Sequence, residues 1–276
     1  MALTERDNIS IAQIVIFVPS LCIALWLAIR HGFGRNSGWL YMILFSLARI
    51  IGAALQLATI SDPTNISLHI GAMTLQSIGL SPLIMVQLAL LGRALGSIRR
   101  TTTALVTEQR MRLIHLVALV GLILGAVGGS QSGQSVGQTG TYTVSGISQA
   151  GIGLMIAAFG LLAISTAVVA MQLSAVETGE KRLVLAVGLS LPFTLIRLAY
   201  SAESVFGHNP DFNQLTGNVN IQLGMAVIME IIVVAIVESI GVTLQKVPKN
   251  RADTSATGYR QPGQQTMAEH EMGAYK

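Results

Sequence analysis

Long stretches without a charged residue constrain this chain more than any other feature. No Asp, Glu, Lys or Arg lies between Asp7 and Arg30, and none lies between Arg112 and Glu177. A helix needs about 20 mostly apolar residues to cross a bilayer, so each of these gaps is long enough for one or more crossings. Only 11% of the 276 residues are charged and 51% are hydrophobic. This composition excludes a soluble globular protein of this size.

Seven apolar runs predict an all-α, polytopic bundle of seven transmembrane helices over residues 9–241, after a short N-terminal segment of residues 1–8. The polar tail, residues 242–276, is predicted to be disordered. Gly129–Gly140, rich in Gly, Ser and Gln, is predicted to be a flexible exposed loop between the fourth and fifth spans. The predicted spans are Ile9–Ile29, Trp39–Ile60, Leu68–Leu91, Leu113–Gly128, Ile147–Leu173, Leu183–Ser201 and Val219–Ile240.

The basic residues predict the orientation of the bundle. Fourteen of the 17 Lys and Arg residues fall on one side of the predicted spans. By the positive-inside rule the N-terminus is outside or lumenal and the C-terminus is cytosolic, and the first span is a retained anchor. The sequons at Asn8 and Asn65 lie on the outer side and predict a glycoprotein. We expect a multi-pass protein of the endoplasmic reticulum or another endomembrane, in contact with membrane lipid.

The basic, cysteine and histidine residues of the sequence argue against several classes of site. Basic residues cluster beside the apolar runs and do not form one face, so no nucleic-acid partner is predicted. Cys22 is the one cysteine, which excludes an intramolecular disulfide and a multi-cysteine metal site. His69 and His208 lack a third ligand at a suitable spacing. No metal site is predicted.

Three ionisable residues lie inside predicted spans: Arg49 in the second, Arg197 in the sixth and Glu230 in the seventh. Ionisable groups at bilayer depth are costly and usually face the bundle interior, where they mark functional sites. The charges of an Arg–Glu pair can also simply neutralise each other, and the pair then fixes only the helix register. Two arginines against one carboxylate leave an excess positive charge, which favours an anionic or polar ligand group as a further partner.

Small and polar residues at helical spacing predict inward faces on three spans, which we expect to converge on one polar chamber. Pro82, in the third span, frees a backbone carbonyl that could point into this chamber. The faces are Ser46, Arg49, Gly52, Ala53 and Gln56 on the second span, Gln76, Leu80, Leu83 and Gln87 on the third, and Ser190, Thr194, Arg197 and Ser201 on the sixth, with Tyr200 at its edge.

A short pattern, F-[ST]-L-x-R-[IL], occurs at both Phe45–Ile50 and Phe193–Leu198. It suggests parallel repeats of spans one to three and five to seven, an arrangement found in some transporters. A small-molecule transporter is therefore one alternative function. A seven-helix receptor is another, but of non-rhodopsin type, because the seventh span has no lysine for a retinal Schiff base and no Asn-Pro-x-x-Tyr motif.

Four segments resemble a family of fungal seven-span membrane proteins. Some members of that family are membrane-bound terpene cyclases of meroterpenoid pathways, of the ascofuranone and macrophorin type. The resemblance covers the seven spans but not the tail. The segments are Gly32–Trp39, Phe45–Gly52, Leu195–Tyr200 and Met229–Glu230.

The resemblance implies cyclisation of the prenyl chain of a lipophilic precursor, started by protonation of an epoxide or a terminal alkene. The acid is then a carboxyl group kept protonated by burial, and Glu230 is the first candidate. A tight ion pair with either arginine would hold Glu230 ionised, which makes Glu203 or Asp62 the next choice. No DDxxD, NDxxxD or DxDD motif is present, so no metal or other cofactor is expected.

The resemblance also implies roles for residues around the predicted chamber. Arg49 or Arg197 would hold a carboxyl, aldehyde or phenolic oxygen on the aromatic head of the prenylated substrate. Phe45, Phe193 and Tyr200 flank these arginines and would face a developing carbocation. Gln56 and Gln76 lie on the same polar faces and complete the predicted substrate-binding set.

Overall fold

The computed structural model describes residues 3–31, 38–101, 107–139, 143–176, 179–207, 209–213 and 216–244, which form helices and no strand. A π-helical turn, Leu223–Val227, joins the last two helices, and short 3-10 turns cover Leu173–Ala175 and Pro210–Phe212. The helices are α1 (Glu5–His31), α2 (Trp39–Ala58), α3 (Ile66–Ile78), α4 (Leu80–Thr101), α5 (Glu108–Thr139), α6 (Gly146–Met171), α7 (Lys181–Phe206), α8 (Val219–Gln222) and α9 (Ile228–Thr243).

Seven stretches in the described residues are long and apolar enough to cross a membrane, which confirms the predicted seven-helix, multi-pass bundle. The third stretch combines α3 with α4, and the seventh combines α8, the π-helical turn and α9. We call the end at which α1, α3, α6 and α8 begin the amino end of the bundle. The opposite end, at which α9 stops, is the carboxyl end. The predicted tail from residue 245 onwards lies outside the described residues.

The first helix begins at Glu5, four residues before the predicted start at Ile9, because Thr4 and Asp7 cap it reciprocally. The backbone N–H of Asp7 donates to Oγ1 of Thr4 at 3.3 Å, and the backbone N–H of Thr4 donates to Oδ2 of Asp7 at 2.9 Å. This capping box satisfies backbone donors that have no partner within the helix. It also places Arg6 and Asp7 in the first turn, at the mouth of the bundle.

Two spans are interrupted, and both interruptions lie next to the charged residues. The third span breaks at Gly79 and not at Pro82, which instead lies in the first turn of α4. Proline is tolerated there because the N–H that it lacks would have no partner within the helix. The seventh span changes to π-helical geometry at Leu223–Val227, just before Glu230. Such π-helical turns occur frequently at functional sites.

The prediction of a flexible loop at Gly129–Gly140 is wrong. Helix α5 continues to Thr139, and residue 140 lies outside the described residues. The glycines let this stretch approach its neighbours closely: a Cβ at Gly133 would lie 3.0–3.1 Å from side chains of α3, and one at Gly128 would overlap the backbone of Ser148. Ser132 donates to the Gly128 carbonyl at 2.8 Å. Packing thus orders a stretch whose composition is typical of a loop.

The centre of the bundle is the third span. In its most apolar window, within Ile66–Ile98, 83% of the residues are buried, while the other spans reach at most 50%. The remaining spans surround it and carry exposed apolar side chains such as Val15, Ile29, Leu113 and Ile164. These side chains form an apolar outer surface suited to lipid.

Candidate functional site: a buried arginine–glutamate cluster and an adjoining chamber

Two arginines from different helices donate to the same oxygen of one carboxylate. Nη2 of Arg49 on α2 and Nε of Arg197 on α7 both form ion pairs with Oε1 of Glu230 on α9, the second at 2.7 Å. The three side chains are each at most 2% exposed. The structure therefore confirms that all three face the bundle interior, and it shows ion pairs from both arginines. We call Arg49, Arg197 and Glu230 the charged cluster.

The break between α3 and α4 supplies further acceptors for the charged cluster. Nη1 of Arg49 donates to the backbone carbonyl and to the side-chain Oε1 of Gln76, both at 3.1 Å. Nη2 of Arg197 reaches the same carbonyl at 3.4 Å, and its Nη1 donates to Ser201. Gly79 lets the α3–α4 backbone approach, because a Cβ there would overlap the Arg49 guanidinium. Four helical elements therefore converge on the cluster.

The charged cluster carries a formal charge of +1 and retains unused hydrogen-bonding capacity. Nε of Arg49 and Oε2 of Glu230 are buried and have no hydrogen-bond partner among the described residues. Buried charges and unpaired polar atoms are both costly in a medium of low dielectric constant. The arrangement therefore fixes the register of α2, α7 and α9 and leaves an excess positive charge beside Gln76, while Arg49, Arg197 and Glu230 themselves line no described cavity.

Two of the three predicted aromatic residues contact the charged cluster. The Arg49 guanidinium carbon lies 5.5 Å from the centre of the Phe45 ring, and that of Arg197 lies 5.6 Å from the centre of the Tyr200 ring. These ring faces are already occupied by protein cations. Phe193 is half-buried against the apolar core instead.

A chamber of about 780 Å³ opens at the amino end of the bundle. Its volume lies within the range of small-molecule sites. A narrower cleft of about 50 Å³ shares Arg6, Gln56, His69 and Met73 with the chamber and reaches Gln76, the residue that binds both arginines. The chamber is lined by the first turn of α1 (Thr4, Glu5, Arg6 and Asp7), the end of α2 and the turn after it (Gln56, Thr59, Ile60 and Pro63), the start of α3 (Ile66, His69, Ile70 and Met73), and Gly133 and Val219.

The structure separates the predicted site into two parts. Glu230 lies in the charged cluster and is not among the residues that line the chamber or the cleft, whereas Gln56 and Gln76 line the cleft. Glu203 and Asp62 are exposed and line neither the chamber nor the cleft. Asp62 accepts hydrogen bonds from Thr64 and Asn65 in its own turn. The structure therefore brings neither Glu203 nor Asp62 to the cluster, and a catalytic role for them stays a prediction.

Sequence reasoning missed the chamber residues of α1. Asp7 is buried, accepts from Thr4 and lies 3.4 Å from Nε2 of Gln56. Arg6 donates to the carbonyl of Gly217 at 2.9 Å, which ties α1 to the segment before α8. The T-x-x-D capping pattern at Thr4–Asp7 was the available signal, because it places both charges in a helical first turn.

The described residues contain no group of three His, Cys, Asp or Glu side chains that could hold a metal ion. His69 lines the chamber and lies within hydrogen-bonding distance, 3.2 Å, of the Pro63 carbonyl. His208 lies outside the described residues.

The two copies of the F-[ST]-L-x-R-[IL] pattern place their arginines on one acceptor. Arg49 and Arg197 occupy corresponding positions of the pattern, and both bind Oε1 of Glu230 and the Gln76 carbonyl. Their helices are followed by the two interrupted spans. The suggested repeat of spans one to three and five to seven stays a prediction.

A family model matches residues 3–247, which include all seven spans and both parts of the site. No curated protein and no solved structure matches the chain. The description of the matching family names no activity, so the resemblance to terpene cyclases stays a prediction. Because the match covers most of the sequence, the chain belongs to the family described as DUF7702, a domain of unknown function.

Proposed function

We propose that this membrane protein binds a lipophilic, prenylated small molecule in the chamber at the amino end. The observation that carries the proposal is the chamber of about 780 Å³, whose adjoining cleft ends at Gln76 beside two buried arginines. Small-molecule sites are typically concave, mostly apolar and equipped with a few convergent polar groups. Ile60, Ile70 and Met73 supply the apolar wall here, and Arg6, Asp7 and Gln56 supply polar groups.

The charge of the cluster favours a ligand with an anionic or strongly accepting head group. The head would lie in the cleft next to Gln76, with the prenyl chain in the wider chamber. A carboxylate or phenolate in this position would offset the formal +1 charge of Arg49, Arg197 and Glu230. The cluster thus acts on the ligand by its charge and by its contact with Gln76.

Cyclisation of the bound prenyl chain is the reaction that we propose for this site. A proton adds to the epoxide or the terminal alkene, the carbocation closes rings, and loss of a proton gives an isomer of the substrate. Two arginines hold Glu230 as an ion pair, so it does not supply this proton. Glu5 and Asp7 are the carboxyl groups that line the chamber. Asp7 already accepts hydrogen bonds from Thr4 and Gln56 as the cap of α1, so Glu5 replaces Glu230 as the candidate acid.

The orientation and compartment belong to the same proposal. The basic residues that the structure describes at the carboxyl end of the bundle are Arg30, Arg93, Arg110, Arg112, Lys181 and Arg182. The positive-inside rule then places this end in the cytosol and the chamber on the outer or lumenal side. We propose the endoplasmic reticulum or another endomembrane, where lipophilic substrates partition.

The test measures the binding and the turnover of two probes, a farnesylated dihydroxybenzoic acid and its methyl ester. Purified protein in detergent micelles is titrated with both compounds, and the mixture is then separated chromatographically to detect a product of unchanged mass. We expect the acid to bind more tightly than the ester, and a new isomer to form. Replacing Glu5 by Gln should abolish the isomer, because Glu5 is the candidate acid at the chamber.

A matched pair of bulky substitutions separates the chamber from the outer surface. Ile60→Trp fills the chamber, whereas Ile164→Trp enlarges a side chain that is already 63% exposed on α6. Ile60→Trp should weaken binding at least tenfold, and Ile164→Trp should leave it unchanged. Equal binding by both variants, or no binding of the probe by the unmodified protein, would overturn the proposal. Binding without an isomer would overturn cyclisation alone and favour a carrier or a receptor.

A further inference from the structure

Glu238 is a second buried carboxyl group, which neither the chamber nor the charged cluster uses. It lies on α9 in the half of the bundle toward the carboxyl end and is 7% exposed. Oγ of Ser20 on α1 donates to Oε1 of Glu238 at 2.6 Å, and the same Oγ lies 3.3 Å from Oγ of Ser46 on α2. Three helices therefore converge on a small polar site inside an apolar bundle.

This polar site lies next to the charged cluster, on the side toward the carboxyl end of the bundle. Ser46 precedes Arg49 by about one helical turn, and both are buried on the same face of α2. Glu238 follows Glu230 by eight residues on α9, which corresponds to about 12 Å along the helix axis. Polar groups thus continue from the chamber through Gln76 and the cluster into the opposite half of the bundle.

The charges of the two sites balance. The cluster has a formal charge of +1, and an ionised Glu238 brings the sum over the four side chains to zero. A protonated Glu238 leaves the sum at +1, and an anion bound beside the cluster would then restore neutrality. Because the interior of a membrane bundle disfavours net charge, the state of Glu238 and the presence of an anion are linked.

The helices around Glu238 carry other charged groups, which the structure places as follows. On α1, Arg30 donates to the Val242 carbonyl at 3.1 Å, and the His31 ring stacks on Trp39 at 5.9 Å. The charged residue that follows Ser46 on α2 is Arg49 of the cluster. On α7 these groups are Arg197 of the cluster and, at the start of the helix, Lys181 and Arg182. No ion pair among the described residues includes Glu238.

We propose that Glu238 takes up a proton when an anionic ligand binds beside the charged cluster, so that occupation of the chamber is coupled to proton exchange in the opposite half of the bundle. The inference rests on the proposed function, because it requires the chamber to bind an anion. Glu238 lies about 12 Å from Glu230 along the helix axis, and the ligand head next to Gln76 lies on the other side of the cluster. Two unit charges at that distance or more, at an effective dielectric constant of about 20, change an equilibrium constant by no more than about tenfold. That factor is the upper bound of the coupling.

The experiment counts protons during binding. Purified protein is titrated at pH 7 with the farnesylated dihydroxybenzoic acid in two buffers of different ionisation enthalpy, and the difference in heat gives the number of protons taken up. We expect net uptake with the acid and none with its methyl ester. Glu238→Gln should lose this uptake and, at pH 8, should bind the acid more tightly than the unmodified protein, by up to about tenfold.

Two further variants control for charge and folding. Glu203→Gln removes an exposed carboxyl group in the last turn of α7, at the amino end of the bundle, and should retain the uptake. Glu238→Asp keeps a carboxyl group and should retain it as well, which tests the inference even if Glu238→Gln folds poorly.

The outcomes distinguish this inference from the proposed function. Acid binding without proton uptake, or with the same uptake in Glu238→Gln, overturns the coupling and leaves ligand binding in place. Failure of both compounds to bind overturns the coupling together with the proposed function.

Discussion

Gly79 lies directly against the guanidinium group of Arg49, and a Cβ at position 79 would overlap Nη2 and Cζ of that group. Arg49 cannot move aside without leaving Gln76 and Glu230, because it is fully buried between them. We predict that Gly79→Ala lowers the free energy of unfolding by about 3 kcal/mol, as expected when a buried ion pair is broken. Reversible unfolding in mixed detergent micelles measures this change.

Gly96→Ala is the matched control for Gly79→Ala. Gly96 lies on the adjoining helix α4, and a Cβ there would meet nothing within 4 Å. Alanine has a higher helix propensity than glycine, so this variant should be as stable as the unmodified protein or more stable by up to about 1 kcal/mol. Equal stability of the two variants would show that the observed position of Arg49 does not contribute to the free energy of unfolding.

The formal charge of the cluster makes a different prediction for each of its members. Glu230→Gln leaves two neighbouring guanidinium groups and a charge of +2, whereas Arg197→Met leaves one neutral Arg49–Glu230 pair. We expect Glu230→Gln to lower the free energy of unfolding by about 3–5 kcal/mol, because it leaves buried charges uncompensated. Arg197→Met should lower it by less than about 1.5 kcal/mol. Unfolding of the two variants in the same micelles compares them.

A double variant tests whether charge or packing causes the effect. Adding Arg197→Met to Glu230→Gln returns the formal charge of the site from +2 to +1, and we expect part of the lost stability to return. If Arg197→Met alone were more destabilising than Glu230→Gln, the packing of the arginine stem and its contacts with Ser201 and Gln76 would outweigh the charge.

The seven spans could be predicted because charge-free apolar runs reflect a requirement of the bilayer itself. Reliance on apolar runs also explains the error at Gly129–Gly140, because glycine, serine and glutamine are typical of loops and interrupt such a run. In the bundle these small residues pack against α3 and α6, where glycine permits contacts that larger side chains would block. Tertiary packing determines which helices are in contact there, and the local composition does not indicate these contacts.

The charged cluster could be predicted as a group of residues, but its geometry could not. Helical spacing places Arg49 and Arg197 on inward faces, and the cost of burying charge predicts that they meet Glu230. Nothing local indicates that both would share one oxygen, or that the chamber would lie beyond Gln76 and be lined by the first turn of α1. These features depend on the break at Gly79 and on the packing of α1 against α2 and α9.

Close packing between α5 and α6 gives a further prediction. A Cβ at Gly151 on α6 would lie 2.6 Å from the backbone nitrogen of Gly125 on α5, whereas one at Gly153 would meet nothing within 4 Å. We expect Gly151→Ala to lower the free energy of unfolding by about 1–3 kcal/mol, because the two backbones must separate. Gly153→Ala, two residues away on the same helix, should be neutral or stabilising. Similar effects of both substitutions would contradict this contact.

The orientation of the bundle can be tested with single cysteines in a Cys22→Ser background. Thr64→Cys lies in the exposed turn between α2 and α3 at the amino end, and Arg182→Cys lies in the exposed first turn of α7 at the carboxyl end. In sealed vesicles with the cytosolic side inward, a membrane-impermeant maleimide should label position 64 at once and position 182 only after detergent is added. This result is expected because most of the basic residues that the structure describes outside the charged cluster lie at the carboxyl end. The reverse labelling would place the chamber on the cytosolic side, and its ligand would then have to come from the cytosol or the cytosolic leaflet.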